Sequence, residues 1–169
     1  MQLSMPAPKR MRSDNRFLFV CSSISATDSA SKLENLEIVP APAERMAFLQ
    51  SIYSVGIYTL LTLRPVCPDS FIPINELRDI IRACKSFSSA VIASGMLVDD
   101  SMRKRIPDFP RDIKCGLVKL DQYLKNDDPI YEVDVEEELV AIEEECSLCN
   151  LPFFRHSLPA INRIKSGAF

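Results

Sequence analysis

The residues whose types and spacing could do chemistry lie near the end of the sequence. Cys146 and Cys149 form a Cys-x-x-Cys pair, and His156 follows seven residues after Cys149. Together with Cys115, these side chains offer three thiols and one imidazole, a donor set that zinc accepts in closed tetrahedral sites. The sequence holds no second Cys-x-x-Cys pair, which a familiar zinc motif would supply. A Cys3His zinc site is therefore a possible interpretation, while the primary expectation is a protein without a cofactor.

The same two cysteines have other interpretations. Cys146 and Cys149 continue the apolar stripe Val135, Leu139 and Ile142 of a predicted helix, and a buried thiol packs as a small hydrophobe. A redox dithiol belongs at a helix N-terminus, where the helix dipole lowers a thiol pKa, but this pair ends its helix. Core thiols are the favoured interpretation, and zinc and redox chemistry stay open.

The composition excludes several kinds of catalytic site. The chain of 169 residues has four glycines, which are widely separated, and one histidine. A phosphate-binding loop needs clustered glycines so that the backbone can approach the phosphate. Catalysis by a Ser-His-Asp or Cys-His arrangement would depend on His156 alone, and no positioned nucleophile is evident beside it. We therefore expect a protein that is not an enzyme.

Charge is segregated along the chain. The formal net charge is −3, yet residues 127–145 contain ten acids and no base, which leaves 13 acids against all 20 bases elsewhere. Such separation shapes the surface field. We predict an acidic surface helix that binds a basic protein partner or the chain's own basic C-terminal segment. The side chains predicted to make that contact are Glu136, Glu137, Glu143, Glu144 and Glu145.

Basic residues favour an alternative function in nucleic-acid binding. They occur in an N-terminal arm, which also resembles a nuclear localisation patch, and in a second segment, 103–119, that could contact phosphates. An ordinary charged face is the simpler interpretation of the second segment. The sequence lacks a signal-peptide pattern, so we expect an intracellular protein of the cytoplasm, the nucleus or both. The basic residues predicted to bind nucleic acid are Lys9, Arg10, Arg12, Arg103, Lys104, Arg105, Arg111, Lys114 and Lys119.

The elements that must position these residues are predicted to be helices. Apolar residues recur with helical spacing over 43–63, 75–92, 110–125 and 134–149, with shorter helices near 96–105 and 158–164, and no segment alternates over strand length. The uncharged stretch 46–63 has one polar and one apolar side, as in a bundle helix rather than a membrane span. The predicted fold is all-α or nearly so: a compact bundle of four to six helices over 16–169, after a short extended segment and a flexible arm, 1–15.

These features predict a protein–protein interaction or regulatory module that acts through an apolar helical surface and the acidic helix. The segment 46–63 is apolar enough to form a shared core in a homo-oligomer or hetero-complex. The composition is also compatible with a small viral accessory protein. The alternative is a nucleic-acid-associated regulatory or viral accessory protein, stabilised by zinc if the Cys3His site forms. No membrane association is expected.

Overall fold

The structure of the protein, a computed structural model, describes residues 18–106, 109, 115–118 and 129–166. These residues form seven strands and five α-helices. In chain order they are β1 (Phe19–Ser23), α1 (Pro42–Ser54), β2 (Tyr58–Val66), α2 (Ile74–Cys84), β3 (Ala90–Gly95), β4 (Leu97–Val98), α3 (Asp100–Arg105), β5 (Cys115–Val118), β6 (Ile130–Val133), α4 (Glu136–Leu148), β7 (Phe153–Phe154) and α5 (Ser157–Ser166).

The prediction of an all-α bundle over 16–169 is wrong, because the protein is a mixed α/β structure. The predicted helix 43–63 is α1 followed by β2, and the predicted helix 75–92 is α2 followed by β3. Strand β5 falls inside the third predicted helix, whose other residues lie outside the described ranges. The predicted acidic helix and the short C-terminal helix are confirmed as α4 and α5. The predicted flexible arm, 1–15, lies outside the described residues.

Burial on both faces explains why the strands β2 and β3 gave no strand signal. A strand with one wet face alternates apolar and polar residues, whereas a strand covered on both sides is a continuous apolar run. Leu60, Leu61 and Leu63 of β2 are fully buried, as are Ala90 and Val91 of β3. Such a run cannot be distinguished from a buried helix by periodicity alone.

The central sheet pairs its strands in the order β1-β2-β3-β7, and every pair is parallel. Parallel neighbours require crossover connections, which contain α1 between β1 and β2 and α2 between β2 and β3. Helix α4 precedes β7. These three helices share one large core with the sheet, in which Leu49 of α1, Ile81 of α2 and Ile142 of α4 are buried with Leu61 and Val91 of the strands. One face of the sheet is therefore covered by α1, α2 and α4.

The opposite face of the sheet is covered by α5. Successive side chains of a strand point to opposite faces, so Leu60 points away from the large core that contains Leu61 and Leu63. Two residues of α5, Ala160 and Ile164, are fully buried in this second cluster. Its buried members are Leu60, Ala90, Ile92, Ala160 and Ile164. The structure is thus layered, with helix, sheet and helix in turn.

A smaller antiparallel sheet, in the order β4-β6-β5, is inserted between β3 and α4. It joins the parallel sheet closely at Gly95, where an added Cβ would lie 2.9 Å from Cγ2 of Val135. The backbone N–H of Val133 also donates to the carbonyl oxygen of Met96 at 2.9 Å. Close packing rather than backbone conformation therefore favours glycine at the end of β3.

The uncharged segment 46–63, which was predicted to be one helix, is divided at Gly56. This residue has a φ of 84°, a left-handed conformation that glycine adopts without steric cost, and it separates α1 from β2. Among the described residues, no helix has the length and apolar character needed to cross a bilayer.

Candidate functional site

A cavity of about 390 Å³ lies where β1, β2 and β3 end. We call it the edge cavity. In open parallel sheets, ligands bind outside the carboxyl ends of the strands, and small-molecule sites have volumes of ~300–1,000 Å³. The edge cavity satisfies both criteria. Its lining residues are Ser25, Leu33, Glu34, Arg64, Pro65, Met96, Met102, Arg105 and Ile106.

The ends of β1 and β2 are held together beneath the edge cavity. Ile24 continues the pairing beyond β1 by donating its N–H to the carbonyl oxygen of Thr62 at 2.9 Å. The hydroxyl groups of Ser23 and Ser25 both donate to the carbonyl oxygen of Arg64, the former at 2.9 Å. Serines at the end of β1 thus satisfy a backbone acceptor and fix one wall of the edge cavity.

A second wall is fixed by the ion pair between Arg45 of α1 and Glu34 of the loop after β1. Both guanidinium Nη atoms of Arg45 donate to the Glu34 carboxylate, and Nη1 also donates to the carbonyl oxygen of Ser23 at 2.6 Å. The two side chains are only 13% and 18% exposed. Arg45 therefore neutralises the carboxylate at the edge cavity and ties the loop to α1.

The same loop is clamped from the other side by Glu76, in the first turn of α2. Its carboxylate accepts from the backbone N–H groups of Thr27 and Ser29 at 2.8 and 3.1 Å, and from their hydroxyl groups at 3.1 and 2.6 Å. Burial alone would raise the pKa of Glu76, but these four hydrogen bonds outweigh it, and the pKa lies below its ordinary value of 4.5. The loop is thereby held from α1 by Arg45 and from α2 by Glu76.

The far wall of the edge cavity is helix α3. Asp99 caps this helix by accepting from the N–H of Met102 at 2.6 Å, a bond that lowers the pKa of Asp99. One turn later, Arg105 donates through Nε and Nη2 to the carbonyl and hydroxyl oxygens of Ser101, at 3.3 and 2.9 Å. The other terminal nitrogen of Arg105 makes no hydrogen bond within the described residues. Helix α3 thus brings an apolar side chain and a cation to the edge cavity.

Sulfur atoms line the inner side of the edge cavity. Met96 is 3% exposed, and the thiol of buried Cys67 lies 3.8 Å from the Met96 sulfur. Burial, with a smaller contribution from the charge of Glu138, raises the pKa of Cys67 to about 12. The thiol is therefore neutral at ordinary pH, and it packs as an apolar group behind Met96.

The acidic residues predicted to bind a partner occupy different environments on α4. Glu145 is 5% exposed and accepts from Nε and Nη2 of Arg82 at 2.8 and 2.7 Å, so its carboxylate is engaged inside the protein. Glu136 is paired with Arg155 at 2.6 and 2.7 Å, a contact with the basic C-terminal segment. The remaining acids, Glu137, Glu143 and Glu144, are exposed.

The predicted apolar helical surface is also divided by the fold. The residues after Gly56 belong to the buried strand β2, so they cannot form a shared surface between chains. Phe48 of α1 is 50% exposed, and Val55, directly after the helix, is 68% exposed. The apolar helical surface is thus reduced to the outer side of one helix of 13 residues.

The four predicted zinc ligands are not brought together. Cys115 lies in β5 and accepts from Nη2 of Arg103 at 2.8 Å, whereas Cys146 is buried in α4, where burial raises its pKa to about 12. Cys149 contacts a carboxylate oxygen of Glu145 at 3.7 Å. His156 is exposed before α5. No group of three or more potential ligands is placed to hold a metal ion in the part of the chain that the structure describes.

Three of the predicted nucleic-acid-binding residues, Arg103, Lys104 and Arg105, lie in the last turn of α3. Arg103 is occupied within the protein, because its guanidinium lies 5.0 Å from the ring centroid of Tyr131 and contacts Cys115. The other six lie outside the described residues: Lys9, Arg10, Arg12, Arg111, Lys114 and Lys119.

Sequence reasoning missed the edge cavity because it missed the sheet. The available signal was the alternation of apolar runs rich in β-branched residues with helical segments, which is typical of parallel α/β units. Given that alternation, Ser25, Arg64 and Met96 would have been placed together at the ends of neighbouring strands.

Comparison with models of known families finds no match, and no curated protein or solved structure matches the chain either. The class of protein is therefore described by its fold and its cavity alone. It is a layered α/β protein with a four-stranded parallel sheet in strand order β1-β2-β3-β7 and a cavity at the carboxyl ends of β1, β2 and β3.

Proposed function

We propose that the protein binds a small organic molecule in the edge cavity. The observation that carries the proposal is the convergence of three parallel strand ends on one cavity of about 390 Å³. A cavity with mostly apolar walls and a few polar groups is the usual form of a small-molecule site. Here Leu33, Met96, Met102 and Ile106 supply apolar surface, and Arg105 supplies a cation.

The fixed walls of the edge cavity support this proposal. Binding is weakened when a ligand must first order the loops that contact it. In this protein the loop after β1 is already held by the Arg45–Glu34 ion pair and by four hydrogen bonds to Glu76. The α3 wall is likewise held by the Asp99 cap. The site is therefore largely formed before a ligand arrives.

A screen of small molecules by thermal shift and methyl NMR tests the proposal. A true ligand stabilises the folded protein, by about 2.7 kcal/mol at 100 times its Kd, and shifts the methyl signals of Met96 and Met102. Met102→Phe, which fills part of the edge cavity, should weaken binding, whereas Lys104→Ala on the same helix should not. Ligands whose affinity is the same for Met102→Phe, or whose NMR shifts fall elsewhere, would show that the cavity is not the site.

A second candidate function is binding of a basic protein partner to the outer side of α4. It is favoured by the exposure of Glu137, Glu143 and Glu144 around two exposed apolar side chains, Val140 at 44% and Leu148 at 79%. Unlike Glu136 and Glu145, these three acids have no ion pair within the described residues. An acidic surface with apolar side chains suits a partner whose own surface is basic and partly apolar.

Charge reversal tests this second candidate. The triple variant Glu137→Lys, Glu143→Lys and Glu144→Lys should fold normally, because the three side chains are exposed, and it should lose a basic partner that the unaltered protein retains in a quantitative pull-down. If the triple variant folds and still retains every partner, the acidic side of α4 has no role in binding. Nucleic-acid binding stays a prediction, which the salt dependence of RNA and DNA affinity would test.

A further inference from the structure

The edge cavity has an unbalanced charge. Glu34, the one carboxylate among the described lining residues, is neutralised by Arg45, which holds it with both Nη atoms. Two further cations, Arg64 and Arg105, are among the lining residues. The Arg64 guanidinium lies toward α5, where it donates at 3.4 Å to Ser157 Oγ and to the Arg155 carbonyl oxygen, so Arg105 is the cation available to a ligand, and Asp99 is the acid that interacts with its charge. With Glu34 neutralised, the charge of Arg105 favours an anion over a cation beside it.

Arg105 is the side chain best placed to contact an anion. It lies in the last turn of α3, one turn from the cavity-lining Met102. Its Nε and Nη2 bind Ser101, which holds the guanidinium group in place while one terminal nitrogen stays unpaired within the described ranges. A guanidinium that is already oriented loses less side-chain freedom when it binds a carboxylate or a phosphate.

The remaining walls of the edge cavity indicate that the rest of the ligand is apolar. Leu33, Met96, Met102 and Ile106 are apolar, and methionine adapts its shape to irregular apolar groups. A small inorganic anion would leave these walls without contacts. The cavity of about 390 Å³ is equivalent to about 13 water molecules at ~30 Å³ each, which is enough space for an apolar chain or ring.

We infer that the ligand of the edge cavity is an amphiphilic organic anion. Its apolar body lies between Met96 and Met102, and its anionic head group contacts Arg105. This inference rests on the proposed function, since it names the class of molecule that the same cavity binds. A carboxylate and a phosphate monoester share this chemistry.

The experiment compares three probes with the same eight-carbon chain and different head groups: octanoate, 1-octanol and octylammonium. Binding is followed by the methyl signals of Met96 and Met102 in protein labelled with ¹³C at the methionine methyl groups. We expect octanoate to bind about tenfold more tightly than octanol, which is the contribution of a charged hydrogen bond reduced for partial exposure, and octylammonium to bind least. Added salt should reduce the preference for octanoate.

Two variants with the same charge change locate the head group. Arg105→Met should make octanoate and octanol bind equally while both still shift the methionine signals. Lys104→Met removes a cation from the same helix turn but outside the cavity lining, and it should keep the tenfold preference. Similar affinity for octanoate and octanol in the unaltered protein, or a preference that survives Arg105→Met, would overturn the inference and leave small-molecule binding intact. If none of the three probes shifts the signals of Met96 and Met102, the inference of an amphiphilic anion is overturned, and the proposed function is decided separately by the small-molecule screen.

Discussion

Replacing Glu76 with glutamine should loosen the loop that forms one wall of the edge cavity. The substitution keeps the size of the side chain, but one of the two oxygens becomes an NH₂ group. That group cannot accept the hydrogen bonds that Thr27 and Ser29 now donate to the carboxylate. Oε2 accepts three of the four hydrogen bonds and Oε1 accepts the one from the Ser29 hydroxyl, so with the amide oxygen in the Oε2 position one bond is lost and the other three lose their charged acceptor.

The magnitude follows from the one hydrogen bond that is lost and from the loss of the charged acceptor in the other three. A net hydrogen bond contributes ~0.5–1.5 kcal/mol, and one to a charged group ~1.5–3 kcal/mol. Glu76 is partly exposed, so water can replace part of the loss. We therefore expect Glu76→Gln to lower the free energy of unfolding by about 2 kcal/mol. The amide protons of Thr27 and Ser29 should exchange faster with solvent, because the loop opens more often.

The effect should depend on pH in a defined direction. The pKa of Glu76 in the folded protein lies below 4.5, since hydrogen bonds from Ser29 and Thr27 outweigh the effect of burial. A carboxyl with a lowered folded pKa stabilises the protein above its unfolded pKa, and this contribution disappears as pH falls through the folded value. The difference between the unaltered protein and Glu76→Gln should thus be constant near pH 7 and shrink below pH 4.5.

Urea unfolding at several pH values, followed by circular dichroism, measures these differences, and hydrogen exchange reports on the loop. Glu44→Gln is the matched control, because the Glu44 carboxylate accepts one backbone N–H, that of Ala41, at 2.8 Å. Glu44→Gln should lower the free energy of unfolding by less than Glu76→Gln does, and it should leave the amide protons of Thr27 and Ser29 protected from exchange. The reasoning is refuted if Glu76→Gln costs no more than Glu44→Gln and leaves exchange at Thr27 and Ser29 unchanged.

Two further predictions concern packing. Gly95→Ala should cost ~1–3 kcal/mol, the usual range for overpacking, because its Cβ would lie 2.9 Å from Val135. Gly116→Ala should be tolerated, because no atom of the described residues lies within 4 Å of its added Cβ. Equal urea midpoints for these two variants would contradict the close approach. Ile164→Ala should cost ~2–5 kcal/mol, because Ile164 is fully buried between α5 and the sheet. Leu158→Ala, at a position of the same helix that is 65% exposed, should change stability by less than ~0.5 kcal/mol. A neutral Ile164→Ala would mean that α5 does not cover the sheet.

The sequence contained enough information to place helices but not to recognise the sheet. Helix α4 was located within two residues because its apolar stripe faces a single core. Its predicted start at residue 134 is two residues early: the first helical residue is Glu136, and Asp134 accepts from the N–H of Glu136 at 3.3 Å. The error at β2 has a physical cause, since Leu60 and Leu61 are buried on opposite faces and the run between Gly56 and Arg64 shows no alternation.

The edge cavity depends on the sheet, so it could not be predicted from the sequence without it. Its walls come from residues far apart in the chain, such as Ser25, Arg64 and Met102, and only strand order brings them together. Ion pairs between distant elements are equally hidden. Arg82 and Glu145 are separated by 62 intervening residues, and their pairing removes one acid from a segment whose charge pattern had indicated a wholly exposed surface.

The agreement between strand order in space and strand order in the chain has a consequence for synthesis on the ribosome. Each new strand, β2, then β3, then β7, adds to an edge whose residues have already left the ribosome, so the sheet can grow as the chain lengthens. The face that carries Leu60 and Ile92 has to wait for α5, which follows every strand in the chain. Until Ser157–Ser166 emerge and pack, the nascent protein presents an apolar surface, and this interval is when we expect chaperones to bind it and aggregation to begin.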